Sequence, residues 1–139
     1  APTRNQALEA LDVLMRPFRE FPFADAVAKS VLVTAALTAL IRRSLLTAPM
    51  FAVDAPTAGS GKTYIAQTLG IIAIGHIPTL IAQGKSDEED EKRISTVLIA
   101  GDPIVVVDNC ERAISGDALC GVLTAETWGA RILGKSEYD

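Results

Sequence analysis

The chain has 139 residues, 49% of them hydrophobic, which is enough for one domain, or one domain and part of another, with a sizeable core. Its net charge of −4 argues against a module that only binds nucleic acid, because such modules are usually basic. Cys110 and Cys120 form no C-x-x-C pair, so a disulfide framework and a zinc site are both disfavoured, and we expect free thiols in a reducing cytoplasm.

The first 47 residues are predicted to be an N-terminal helical segment. Apolar positions separated by charged ones predict an amphipathic helix over residues 3–16, followed by a connector over 18–22. Residues 24–46 are predicted to form a second, more apolar helix. The most apolar run in it, residues 31–41, is shorter than the roughly 20 residues that cross a bilayer, so we expect no membrane partner.

From residue 48 to residue 139 the pattern alternates between strands and helices. The predicted strands cover residues 50–53, 77–83, 104–107 and 128–133. The predicted helices between them cover residues 63–74, 86–100 and 115–125. This alternation indicates an α/β domain with a parallel sheet and helices on its faces. The all-apolar strand 104–107 is typical of a central position that is covered on both faces.

Two helix starts in this region have capping signals. Ser86, followed three residues later by Glu89, is a capping box, in which each side chain satisfies a backbone N–H of the other. Ser115 or Asp117 is expected to cap the last predicted helix.

The most informative motif is a glycine-rich run between the first predicted strand of the α/β region and the helix that follows it. The order of elements is that of a P-loop: a strand, a glycine-rich turn, a Lys-Thr pair and a helix. A P-loop wraps a polyphosphate with backbone N–H groups and a helix N-terminus. Lys62 would reach the β- and γ-phosphates, and the Thr63 hydroxyl would bind Mg²⁺. The predicted cofactor-binding residues are Thr57, Ala58, Gly59, Ser60, Gly61, Lys62, Thr63 and Tyr64. The alternative is a glycine-rich turn that only caps a helix.

One position of this motif departs from G-x-x-x-x-G-K-[ST]. The pattern has glycine where this chain has Pro56, and proline supplies no N–H. The later glycines, Gly59 and Gly61, and the Lys-Thr pair keep the parts that contact phosphate, so we interpret the run as a P-loop with a stiffened entry.

A second signature follows the strand predicted at 104–107. Asp108 ends this strand at the carboxyl edge of the sheet, where ligands of open α/β sheets bind, and it would hold Mg²⁺ through the ion's water shell. A turn-forming aspartate is the alternative. Many P-loop ATPases place glutamate next, whereas this chain has Asn109, which can position a water but cannot accept its proton. Glu111 could substitute, although a solvated loop acid is the simpler interpretation. Nucleotide binding is therefore better supported than fast turnover.

Three cations are weaker candidates. Arg112 and Arg131 could contact phosphate or a neighbouring subunit, although we favour a surface role for both. Lys85 follows the second strand of the α/β region, near the expected ligand edge.

Four parts of the chain together resemble the ATPase domain of phage and mobile-element primase-helicases, of the AAA+/superfamily 3 branch of P-loop proteins. They are residues 55–63, residues 81–84 with the acidic helix from Ser86, residues 107–109 and residues 132–137. The resemblance covers residues 46–137. It implies an ATPase that binds ATP and Mg²⁺ between subunits of a ring and moves single-stranded DNA. Lys62 and Thr63 match the Walker A residues, and Asp108 matches Walker B.

This chain departs from the family pattern at Pro56 and at Asn109. A polar sensor residue is not evident on residues 128–133, so we expect it, and the arginine finger, beyond Asp139. The chain would then be an N-terminal part of an ATPase core, with weak or no DNA binding by itself. The alternatives are a nucleotide-binding switch with little hydrolysis, and a small-molecule kinase, for which no basic lid is seen.

Overall fold

The computed structural model describes residues 1–125, which combine helices with a two-stranded parallel sheet. The helices of this part are α1 (Arg4–Met15), α2 (Ala26–Leu40), α3 (Lys62–Ile74), α4 (Asp87–Ala100) and α5 (Asp117–Thr124). The strands of this part are β1 (Thr79–Ala82) and β2 (Val105–Asp108). Short 3-10 turns cover Arg16–Phe18 and Arg42–Ser44. None of the described helices is both long and apolar enough to cross a membrane.

The described residues group into two compact units. The helical unit consists of Ala1–Arg42 and Phe51–Pro78, and the sheet unit consists of Arg43–Met50 and the described residues from Thr79 onward. The predicted division into residues 1–47 and 48–139 stays a prediction.

Helix α1 agrees with the predicted helix at residues 3–16, and its start is fixed by a capping box that the sequence analysis did not identify. The backbone N–H of Gln6 donates to Thr3 Oγ1 at 3.3 Å, and the backbone N–H of Thr3 donates to Gln6 Oε1 at 2.9 Å. Two N–H groups that the first helical turn leaves without partners are thereby satisfied.

The core of the helical unit is centred on a segment that was predicted only to connect two helices. Phe18 is 1% exposed and clusters with the buried side chains of Met15, Leu32 and Ile65, which come from α1, α2 and α3. Partly buried apolar side chains surround this cluster: Leu11, Phe21, Phe23, Val33, Leu69 and Ile72. Residues 18–23 therefore contribute to the core.

Helix α2 is shorter than the helix predicted at residues 24–46. The Asp25 carboxylate accepts the backbone N–H of Ala28 at 2.7 Å and caps its start, and the helix ends at Leu40. The residues that follow form the 3-10 turn Arg42–Ser44. Helix α2 packs against α3.

The prediction of a strand at residues 50–53 is wrong. These residues have no regular secondary structure, and none of their backbone groups joins a strand ladder within the described chain. Met50 and Val53 are 47% and 41% exposed. An apolar run alone does not make a strand, because its backbone N–H and C=O groups need a partner.

The sheet unit confirms two other predicted strands. Strands β1 and β2 are parallel, with Thr79 opposite Val105 and Ala82 opposite Asp108. All four residues of β2 are only half-buried and, among the described residues, β2 pairs with β1 alone, so the predicted central strand covered on both faces is not found there. The strand predicted at residues 128–133 lies outside the described residues.

The predicted capping box of α4 is only half formed. The Ser86 hydroxyl accepts the backbone N–H of Glu89 at 3.3 Å, as expected. The Glu89 carboxylate, however, accepts the backbone N–H of Lys85 at 2.8 Å and pairs with Arg93. The acid therefore fixes the residue before the cap.

The predicted cap of α5 is wrong. Gly116, which lies between the two candidates Ser115 and Asp117, holds the cap position, and no side chain caps the helix. Asp117 is instead the first helical residue, where its negative charge suits the helix dipole.

We expect Phe18→Ala to lower the free energy of unfolding by about 3–5 kcal/mol, because it removes a fully buried aromatic ring and leaves a cavity. Urea unfolding measures the change. Val27→Ala, at a side chain that is 67% exposed, is the control and should change stability by less than about 0.5 kcal/mol. A loss of similar size in both variants would contradict the central position of Phe18.

Glu89 should make stability depend on pH. Its pKa lies below the ordinary value of 4.5, chiefly because its carboxylate accepts the Lys85 N–H, and further because of its bond to Arg93. A lowered pKa means that the carboxylate stabilises the fold above pH 4.5 and that this contribution is lost as the pH falls through the folded-state pKa. We therefore expect Glu89→Gln to be less stable than the wild type at neutral pH, and the difference to shrink in acid.

Urea midpoints measured from neutral to acidic pH test this expectation. The control is Glu91→Gln on the same helix, because Glu91 makes no hydrogen bond or ion pair within the described residues. It should follow the wild type at every pH. A Glu89→Gln deficit that persists unchanged in acid would contradict the carboxylate's role.

Candidate functional site

The glycine-rich run lies in the helical unit and leads directly into α3. Gly59 and Gly61 both have left-handed backbone conformations, with φ of 73° and 87°, and Gly61 is the N-cap of α3. No side chain caps this helix end, and the first backbone bond of the helix runs from Ile65 N–H to Gly61 O at 3.0 Å. Because the first N–H groups of a helix have no partner inside it, this terminus suits an anion.

The loop contains a buried polar atom without a partner. The Ser60 hydroxyl oxygen is buried and makes no hydrogen bond within the described residues. An unpaired buried hydroxyl is costly, and a phosphate oxygen is a group that could accept its hydrogen. At Gly59 a Cβ atom would meet nothing within 4 Å, so the loop is open on that side. Both observations fit a bound polyphosphate.

The predicted cofactor-binding residues form one continuous stretch. Thr57, Ala58 and Gly59 are exposed on the loop, and Lys62 and Thr63 are half-buried in the first turn of α3. Tyr64 is 53% exposed. Helix α3 begins one residue before the predicted start, and it ends as predicted, before Gly75.

Phe21 is a residue of this site that the sequence analysis did not identify. A Cβ atom built at Gly61 would lie 2.9 Å from Phe21 Cε1, so the ring lies directly against the glycine. The same ring stacks on Tyr64, with centroids 5.7 Å apart and planes at 19°. Residue 61 is therefore restricted to glycine by its left-handed backbone and by its neighbour. The sequence feature that could have indicated a structural role for Phe21 is the presence of three phenylalanines within residues 18–23.

Asp108 lies at the carboxyl edge of the sheet unit. It ends β2 opposite Ala82, the last residue of β1, and its Oδ1 accepts the backbone N–H of Asn109 at 2.9 Å. Asn109 is exposed and has a left-handed backbone with φ of 54°. A half-buried carboxylate at this edge can bind a cation, and the adjacent amide can bind water.

Gln83 fixes the chain that follows β2, and the sequence analysis missed it. Its side-chain oxygen accepts the backbone N–H groups of Glu111 and Arg112 at 2.9 and 3.1 Å, and its nitrogen donates to Arg112 O at 3.0 Å. The loop after Asp108 is thereby tied to the end of β1. A lone glutamine after a strand gave no signal of this contact.

The Arg112 guanidinium is engaged within the sheet unit. It pairs with Asp87 at 2.5 Å and with Asp90, and its Nε donates to Gly84 O at 3.3 Å. Most of its donors are thus used, which leaves little to offer a phosphate. Glu111 and Lys85 are exposed, and Arg131 lies outside the described residues.

Cys110 is close to the candidate carboxylate but is not activated. Burial raises the pKa of its thiol, and the charges of Asp108 and Asp90 raise that pKa further. Its Sγ lies 3.6 Å from Val107 O. Since the thiolate is the nucleophile, the raised pKa disfavours the reactive form of this cysteine.

The residues that could bind a nucleotide and its metal ion are therefore the loop with the first turn of α3 in the helical unit, and Asp108 with Asn109 in the sheet unit. The pairing of Asp108 with the loop in one Mg²⁺ site stays a prediction. Within the described chain, no group of three or more His, Cys, Asp or Glu side chains could hold a metal ion alone.

Comparisons with known proteins give no relative for this chain. No protein-family model matches the sequence, and no curated protein or solved structure shows a significant similarity to it.

Proposed function

We propose that the chain binds ATP and Mg²⁺ through the loop at residues 56–64, as the nucleotide-binding part of a DNA replication helicase or primase-helicase ATPase. The observation that carries the proposal is the geometry of the loop. Two left-handed glycines, Gly59 and Gly61, lead into a helix end that no side chain caps, with Lys62 and Thr63 in its first turn. The mixed helices and parallel strands agree with the α/β class to which P-loop NTPases belong, whereas the strand that this fold places before its loop is not found at residues 50–53.

Charge and hydrogen-bond donors would together bind the phosphates. The Lys62 ammonium adds a positive charge to the partial positive charge of the helix N-terminus. The hydroxyl of Ser60 supplies a further donor, and pairing it would relieve the cost of its burial. ATP with Mg²⁺ supplies the transferable phosphoryl group when it is bound. Magnesium would be held by Thr63 and, through water, by Asp108, since Mg²⁺ is usually bound by one or two protein groups together with substrate phosphates.

Turnover depends on the residue that orients the attacking water. Asn109 can orient a water by its amide but cannot accept the proton, and exposed Glu111 is the nearest acid in sequence that could. The presence of Asn109 keeps a second candidate function open, a nucleotide-binding switch with little hydrolysis. A small-molecule kinase is a third, with less support.

The partners in this proposal come from the resemblance of residues 46–137 to primase-helicases. They are neighbouring subunits of a ring and single-stranded DNA. A cytoplasmic location is part of the proposal on a separate ground, the two cysteines without a disulfide pattern. The chain alone is expected to bind DNA weakly, which agrees with its net negative charge.

We expect Lys62→Ala and Gly61→Ala each to weaken Mg²⁺–ATP binding by about tenfold or more, measured by calorimetric titration. The first variant loses a charged hydrogen-bond donor to phosphate. The second places a Cβ atom against Phe21 on a left-handed backbone, which distorts the loop at the helix N-cap.

The matched control is Gly75→Ala, at the other end of the same helix. Gly75 is also left-handed, with φ of 80°, but a Cβ atom there meets nothing within 4 Å. This variant should lose a similar amount of stability from backbone strain and keep its ATP affinity within about twofold. Equal ATP affinity in all four proteins would overturn the proposed site.

ATP hydrolysis, measured with and without single-stranded DNA on the protein that carries this chain, tests the activity. We expect turnover that DNA stimulates, and we expect Asp108→Asn to abolish it because the metal loses a carboxylate. Asp117→Asn, at an exposed aspartate on α5, is the control and should behave as the wild type. ATP binding without turnover would instead support the switch, and phosphate transfer to a small alcohol or acid would support the kinase.

A further inference from the structure

An exposed aromatic ring lies next to the candidate phosphate loop. Tyr64 is the third residue of α3, and its side chain is 53% exposed. One face of the ring is stacked against Phe21, at a centroid distance of 5.7 Å and an angle of 19°. Within the described residues the Tyr64 hydroxyl makes no hydrogen bond. The exposed part of the ring and the hydroxyl are therefore both available to a ligand.

The Phe21 ring that stacks on Tyr64 is held in place by other aromatic side chains. Phe21 also contacts Phe18 and Phe23, with centroids 6.4 and 6.5 Å apart, and Phe18 is 1% exposed. Because Phe21 is held by the core, the Phe21–Tyr64 stack loses little conformational entropy when the ring of a ligand stacks on Tyr64. It is therefore preorganised for a planar ligand.

The position along the helix brings the ring close to the loop. Tyr64 lies three residues after the N-cap Gly61, which is about 4.5 Å along the helix axis. Helical side chains lean toward the N-terminus, so the ring extends over the turn whose N–H groups face the loop. A ligand with phosphates at these N–H groups would bring a base attached to them near Tyr64.

We infer that Tyr64 is the nucleobase-binding residue of this site and stacks on the base of a bound nucleoside triphosphate. The inference deepens the proposed function and rests on it. Every base has a π face, so stacking predicts affinity for the base with little discrimination between bases. A core role for Tyr64 would instead require that its ring be buried.

The experiment compares two probes on the same proteins, Mg²⁺–ATP and Mg²⁺–tripolyphosphate, by calorimetric titration. ATP carries a base and tripolyphosphate does not. We expect the wild type to bind ATP more tightly than tripolyphosphate. Tyr64→Leu should weaken ATP binding about fivefold or more and leave tripolyphosphate binding within about twofold, because only the stacking is lost. Tyr64→Phe keeps the ring and should retain wild-type affinity for both probes.

Ile71→Ala is the matched control. Ile71 lies two turns further along the same face of α3 and is 50% exposed, so the variant removes a similar exposed apolar side chain away from the loop. Both affinities should stay unchanged in it. Lys62→Ala should weaken the binding of both probes, which separates the phosphate loop from the base site.

Two results would overturn the base site while leaving the phosphate loop intact. One is a wild type that binds tripolyphosphate as tightly as ATP. The other is a Tyr64→Leu variant whose affinities for the two probes change equally or not at all. A wild type that binds neither probe would overturn the proposed function itself, and the base site with it.

Discussion

The contact between Phe21 and Gly61 is the constraint on which the candidate loop depends. A left-handed residue at a helix N-cap has little of its own to keep it in place, because the side chain that usually caps a helix is missing. Here the Phe21 ring lies 2.9 Å from the position that a Cβ atom of residue 61 would take, which leaves no room for one. The same ring stacks on Tyr64, so one aromatic side chain contacts both the N-cap of α3 and its first turn.

The carboxylate side of the candidate site is fixed by a different kind of interaction. In the sheet unit the chain after Asp108 is positioned by hydrogen bonds to Gln83 and by the ion pairs of Arg112 with Asp87 and Asp90. These are polar contacts at a partly exposed edge, whereas the loop is supported by aromatic packing on a buried core. Salt should therefore affect the sheet edge more than the loop, since ionic screening acts on charges and leaves ring packing unchanged.

What could be predicted from sequence was the local part of this arrangement. Periodicity and end signals identified α1, α3, α4 and both strands of the sheet to within a few residues, because such signals act over one or two turns. Tertiary contacts were missed. Phe21 contacts Gly61, and Gln83 contacts Arg112, although the residues of each pair are far apart in sequence. The local sequence at these positions does not indicate which residue will be the partner. The strand prediction at residues 50–53 was wrong for the same reason, because a strand needs a hydrogen-bonded partner strand that its own residues do not specify.

The two departures from the P-loop ATPase pattern are both compatible with the backbone of this chain. Pro56 is exposed at the loop entry, and the left-handed positions, which proline could not supply, fall at Gly59 and Gly61. Asn109 is itself left-handed, with φ of 54°. Asparagine tolerates that conformation much better than glutamate, so the turn after β2 and a glutamate at this position are in conflict. The turn after β2 therefore favours an amide over an acid at residue 109.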